Sequence, residues 1–127
     1  MAIARVLLVD DEPDLRKLAQ FSLQVAGKWA VTAVGSGAEA VAAALRERFD
    51  VVLLDVQMPG LDGPATLRAL RAEPSLSGLP VIFLTATAQE DDQARLLALG
   101  ALGVILKPFD PFGLAGQVTR LVGAGAA

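Results

Sequence analysis

Five side chains in this sequence have the chemistry to handle a phosphoryl group together: the carboxylates of Asp10, Asp11 and Asp55, the hydroxyl of Thr85 and the ammonium of Lys107. Carboxylates gathered at one point repel one another, so a site built from them either raises a pKa or recruits a cation. The chain has no histidine and no cysteine, which leaves hard oxygen donors that favour Mg²⁺ or a similar ion. Mg²⁺ keeps several waters, takes one or two protein carboxylates and completes its shell with phosphate oxygens, so such a cluster is suited to receive a phosphoryl group. In that setting Asp55 attacks phosphorus as a nucleophile to give an acyl phosphate, Lys107 neutralises the transferred oxygens, and Thr85 donates a hydrogen bond to one of them. Each residue alone has a plainer reading, as a helix-start acid, a loop cap or a surface cation. The combination favours the phosphoacceptor reading.

The elements that must bring these residues together are legible in the hydrophobic pattern. Val51 to Gly60 (VVLLDVQMPG) opens with four branched apolar residues ending in Asp55, the signature of a central strand in a parallel sheet covered on both faces. Arg5 to Val9 is a strand stopping at Asp10-Asp11, and Pro13 then opens a helix whose stripe of Leu15, Leu18, Ser22 and Val25, with Phe21 beside it, closes at Gly27. Trp29 to Val34 reads as an edge strand, and Ser36 to Glu39 as a capping box starting a helix through Val41 and Leu45. Asp62-Gly63-Pro64 caps a third helix carrying Leu67 and Leu70, after which Pro74 to Leu79 is a loop. Pro80 to Thr85 is a fourth strand, Gln89 to Leu99 a helix closed by Gly100, and Gly103 to Lys107 a fifth strand. Asp110-Pro111 is the expected N-cap and first position of a last helix carrying Leu114, Val118 and Leu121. Met58 reads as a core gap filler, and the acids Glu90, Asp91 and Asp92 as a first helical turn favoured by the dipole.

Regular alternation of strands and helices predicts an α/β fold: a doubly wound five-stranded parallel sheet in the flavodoxin-like order 2-1-3-4-5, with right-handed crossovers and helices on both faces. The switch point then lies between the first and third strands, which sets Asp10 and Asp11 beside Asp55. A cis Lys107-Pro108 peptide would aim the lysine back across the strand ends, although only about 5% of such bonds in folded proteins are cis. One domain over residues 1–122 and a short flexible tail over 123–127 are expected.

Composition removes several classes of function. Without histidine or cysteine the chain has no Ser-His-Asp triad, thiolate chemistry or disulfide, and it is no phosphohistidine donor. A net charge of -3 argues against gripping nucleic acid by this chain alone. Its apolar runs are far shorter than the ~20 residues that span a bilayer, and no signal-peptide pattern opens the chain, so a cytoplasmic protein with no membrane association is expected. A flavin carrier would want a hydroxyl-rich phosphate loop where this chain has Asp10-Asp11-Glu12. An aspartyl phosphatase of the haloacid-dehalogenase type would want a second aspartate at Gln57.

From Arg5 to about Leu121 the chain resembles a response-regulator receiver domain of two-component signalling, of the chemotaxis-regulator kind. The resemblance is carried by VDDEP with its acidic pair Asp10-Asp11, by LLDVQMPG with the acceptor Asp55, by Thr85 in FLTA and by Lys107 in LKPF. It implies a phosphohistidine donor on a histidine kinase or histidine phosphotransfer protein, a downstream effector protein, and a monomer or weak homodimer. It implies Mg²⁺ held by Asp10, Asp11, Asp55 and the backbone carbonyl of Gln57. It also implies a partner-binding surface on the fourth helix, fifth strand and fifth helix, where Arg95, Gln117 and Arg120 are candidate contacts. Two positions depart from the pattern. Val104 stands where many receivers carry an aromatic that follows the threonine, and Gln57 and Thr87 occupy the positions that tune acyl-phosphate hydrolysis. Val104 is the best sequence argument for the alternative, a receiver-like interaction module that acts independently of phosphorylation.

Overall fold

A computed structural model describes residues 2–126, with side chains described through residue 123. Short apolar runs separated by capped amphipathic segments fold into strands β1 (Arg5–Val9), β2 (Ala30–Val34), β3 (Val51–Asp55), β4 (Val81–Thr85) and β5 (Gly103–Leu106). Between and after them lie helices α1 (Pro13–Ala26), α2 (Gly37–Arg46), α3 (Gly63–Ala72), α4 (Glu90–Ala98) and α5 (Leu114–Ala126), with a 3-10 turn at Pro74–Leu76 inside the expected loop. The strands form one parallel sheet in the order β2-β1-β3-β4-β5, as the alternation predicts.

Strand alternation divides the core in two. Leu7, Val9, Val52, Leu54, Val81 and Phe83 face α2 and α3 and pack with Ala40, Ala43, Leu67, Leu70 and Leu96. Val6, Leu8, Val51, Leu53, Ile82, Leu84 and Ile105 face α1 and α5 and pack with Ala19, Leu23, Leu114 and Val118. Every residue of β3 and β4 is buried, so β3, which carries Asp55, is held from both faces and both edges.

The helix starts follow local chemistry. Ser36 Oγ accepts from the Glu39 amide at 3.2 Å and caps α2, and Asp62 Oδ1 accepts from the Ala65 amide at 2.9 Å and caps α3. Three expectations are corrected. Asp110 does not cap α5: its carboxylate accepts from the Phe112 amide at 3.0 Å and its carbonyl from the Gly113 amide at 2.9 Å, closing a turn, and α5 begins at Leu114. The expected tail is helical from 123 to 126, where α5 continues, and its last residue, Ala127, lies outside the described residues, as does Met1. On α1 the stripe meets the core only in part: Ser22 is buried and Leu15 packs at the core's edge, whereas Leu18, Phe21 and Val25 are exposed and Ala19 and Leu23 are buried instead. No helix among the described residues is long and apolar enough to cross a membrane.

Candidate functional site

Parallel strands bring the predicted residues to one edge. Asp10 follows β1 and still donates its amide to the Val34 carbonyl of β2 at 3.1 Å; Asp55 ends β3, Thr85 ends β4, and Lys107 follows β5. The period of two continues the row of Val6 and Leu8 into Asp10, that of Val51 and Leu53 into Asp55, and that of Ile105 into Lys107, so these three ionic groups share the α1/α5 side of the sheet. Lys107 donates its amide to the Thr85 carbonyl at 2.7 Å, which ties the ends of β4 and β5 together, and the Lys107-Pro108 peptide is cis.

The side chains meet at the lysine. Lys107 Nζ lies 3.1 Å from Asp10 Oδ2 and 3.1 Å from Asp55 Oδ1, with Glu12 Oε1 at 4.0 Å. Asp10 and Asp55 are 1% and 4% exposed, low enough that neither charge would be tolerated without such a partner. Burial raises the Asp55 carboxyl above its usual value, and the nearby Asp10 charge adds to this, while Lys107 and the Gln57 amide pull the other way without cancelling it. Burial pulls the Lys107 ammonium down, but its hydrogen bonds to and attraction by Asp10 and Asp55 more than offset this, so it is raised overall and stays charged.

The structure also gathers Asp11: carboxylate oxygens of Asp10, Asp11 and Asp55 all lie within 4.8 Å of one another. An all-carboxylate donor set of this size fits a hard divalent cation such as Mg²⁺. Gln57 sits at the rim, where its amide donates to Asp55 Oδ1 at 3.4 Å, and the buried Thr85 Oγ1 accepts from the Thr87 amide at 3.2 Å. Asp11, Asp55, Gln57, Thr85 and Lys107 line one cleft that continues along α4 past Arg95. Among the proposed surface residues, Arg95 and Arg120 are exposed and Gln117 is half-buried.

Two supporting residues were missed from sequence. Arg16 Nη1 donates to the Asp10 carbonyl at 2.7 Å, and the Glu12 amide donates to Asp10 Oδ1 at 2.9 Å, fixing the turn that carries the acid. The signal available for Glu12 was its place two residues after Asp10, the spacing of an Asx turn. Arg16 carried none, because a lysine or arginine in a first helical turn is usually solvated.

Comparison with known proteins agrees with this geometry. Residues 6–119 match the model of the response regulator receiver domain. The Probable transcriptional regulatory protein TcrX of Mycobacterium tuberculosis is 43% identical over 104 residues, covering 82% of this chain and 43% of TcrX. The chain thus spans less than half of that relative. The chemotaxis protein CheY4 of Vibrio cholerae superposes with a TM-score of 0.86 at 35% identity, covering 94% of this chain and 99% of CheY4. The receiver domain of sensor histidine kinase PA1611 from Pseudomonas aeruginosa, with a magnesium ion coordinated in its active site cleft, gives 0.83 at 34% identity, covering 96% and 99%.

Proposed function

Because this chain belongs to the response regulator receiver domain family, we propose that it is a signalling switch that takes a phosphoryl group from a phosphohistidine onto Asp55 and thereby changes a partner-binding surface. The observation that supports this best is one lysine ammonium shared at 3.1 Å by carboxylates from two adjacent strand ends. A structural ion pair needs one partner, whereas a site awaiting a phosphoryl group, dianionic once attached, needs a cation that can leave one carboxylate for the incoming oxygens.

In this reading Asp10, Asp11, Asp55 and the Gln57 carbonyl would hold Mg²⁺, which when bound would offset the charge on the transferred phosphoryl oxygens. A carboxylate oxygen of Asp55 forms a bond to phosphorus as the phosphorus–nitrogen bond of the donor breaks, and the imidazole nitrogen leaves with the electron pair. Lys107 follows the new negative charge and Thr85 donates its hydroxyl proton in a hydrogen bond to it. The donor is a histidine kinase or phosphotransfer protein. An effector protein reads the face of α4, β5 and α5, with the chain cytoplasmic and monomeric or weakly dimeric. The chain is a phosphorylation-dependent regulator and not a conventional enzyme.

Intact-protein mass spectrometry after incubation with acetyl phosphate tests this. A gain of one phosphoryl group that requires Mg²⁺ and disappears in Asp55→Asn is expected. No gain in the wild type would favour an interaction module that acts without phosphorylation.

A further inference from the structure

We propose that Asp92 is a positioning residue that carries the state of the Thr85 hydroxyl into α4, in place of the aromatic route that Val104 closes. This rests on the reading of Asp55 as phosphoacceptor. Val104 is half-buried in β5, pairs with Phe83 and packs against the α2/α3-side core. A β-branched side chain held there has no second position to swing into.

Thr85 is instead wired to α4 through Thr87. The Thr87 amide donates to Thr85 Oγ1 at 3.2 Å, the Thr87 hydroxyl donates to Asp92 Oδ2 at 3.1 Å, and the Thr87 carbonyl accepts from Gln93 Nε2 at 3.0 Å. Arg95 Nη2 donates to the other oxygen of Asp92 at 2.7 Å. The amide of Thr87 thus belongs to the strand end, while its hydroxyl and carbonyl belong to the first turns of α4. A shift of the Thr85 hydroxyl toward an anion on Asp55 either drags Thr87 and, through Asp92, α4, or leaves a donor without its partner.

The receiving element is lightly anchored. Leu96 is the one residue of α4 that is buried, whereas α1 buries three and α2 and α3 four each. A helix anchored by so little apolar area responds to polar ties that a deeply packed helix would resist. Moving it would displace Arg95, Leu97 and Leu99, which are exposed at its outer side.

The test is backbone amide NMR of ¹⁵N-labelled protein in Mg²⁺ with and without excess acetyl phosphate, with the phosphorylated fraction read by mass on the same samples. Wild type, Asp91→Ala, Asp92→Ala and Asp92→Asn are compared. Asp91 lies on the same turn, and among the described contacts its side chain makes none with the loop. All four are expected to take up the phosphoryl group and to shift the amides of Thr85 to Thr87. The accompanying shifts at Gln93 to Leu97 are expected in the wild type, Asp91→Ala and Asp92→Asn, whose amide oxygen still accepts from Thr87, and are expected to be lost in Asp92→Ala. Wild-type α4 shifts in a phosphorylated Asp92→Ala overturn the relay alone, as does their loss in Asp91→Ala or Asp92→Asn. Absence of labelling in the wild type overturns the phosphoacceptor reading and the relay with it.

Discussion

At the level of single residues, the raised pKa of Asp55 sets a stability signature. A carboxyl that binds its proton more tightly folded than unfolded makes ionisation unfavourable to folding, so its penalty is full above the raised value and fades as the pH falls through it toward the ordinary value of 3.8. Without divalent metal, Asp55→Asn is therefore expected to melt at a higher temperature than the wild type at neutral pH, with the gap closing by about pH 4. Added Mg²⁺ is expected to stabilise the wild type and narrow the gap by mass action. A lower neutral-pH melting temperature for Asp55→Asn would mean that the Lys107 pair outweighs the burial of the carboxylate. These acids, Thr85 and Lys107 were legible in the sequence because each interrupts a strand at the end where α/β sheets collect ligands. Arg16 was not, because its role rests on reaching the Asp10 carbonyl, which no spacing rule reports, and the Glu12 amide showed only through the Asx-turn spacing from Asp10.

At the level of elements, β3 and the helix after it meet with no space to spare. A Cβ on Gly63 would lie 2.6 Å from the Asp55 carbonyl oxygen and 2.8 Å from Val56 Cα, both backbone atoms. Gly63→Ala is expected to lower the free energy of unfolding by about 2 kcal/mol and to slow labelling from acetyl phosphate, since α3 must retreat or push the Asp55 backbone. Urea unfolding and initial labelling rates check the two effects, and an unchanged midpoint would show that α3 yields freely. A similar crowding explains the end of α1. A Cβ on Gly27 would meet the Leu23 carbonyl and the Trp29 ring at 2.7 Å, while the left-handed position falls on Lys28 at φ 58°. The glycine was legible as a helix end, but its reason is close approach and not handedness. The facing of α1 was less legible: Leu18, Phe21 and Val25 are as apolar as the buried Leu23, so hydrophobicity alone does not say that Ala19, Ser22 and Leu23 are the residues that turn inward.

At the level of the whole molecule, the misread stripe is part of a continuous apolar strip. Leu18, Phe21 and Val25 of α1 join Pro111 and Phe112, which is 93% exposed, and the Ser22 hydroxyl donates to the Pro111 carbonyl across the seam. Both segments follow closely on Asp10 and Lys107 in the chain, so under the proposed function a protein delivering a phosphoryl group to Asp55 would be expected to meet this strip. Phe21→Glu with Phe112→Asp is expected to leave labelling by acetyl phosphate unchanged and to slow transfer from any phosphohistidine domain that labels the wild type. Equal slowing of both donors would place the defect in the site and not in docking. The overall architecture was the most legible level, because short apolar strands alternating regularly with helices through short connections leave few ways to wind the sheet. The shallow seating of α4 bears on how such a chain diverges. Changes at Arg95, Leu97 or Leu99 disturb little core, so substitutions there carry small stability effects and accumulate readily. If α4 is the helix that a partner reads, as proposed, it is also the one whose sequence can change at the least cost to the core, while Asp10 and Asp55 lie buried behind it.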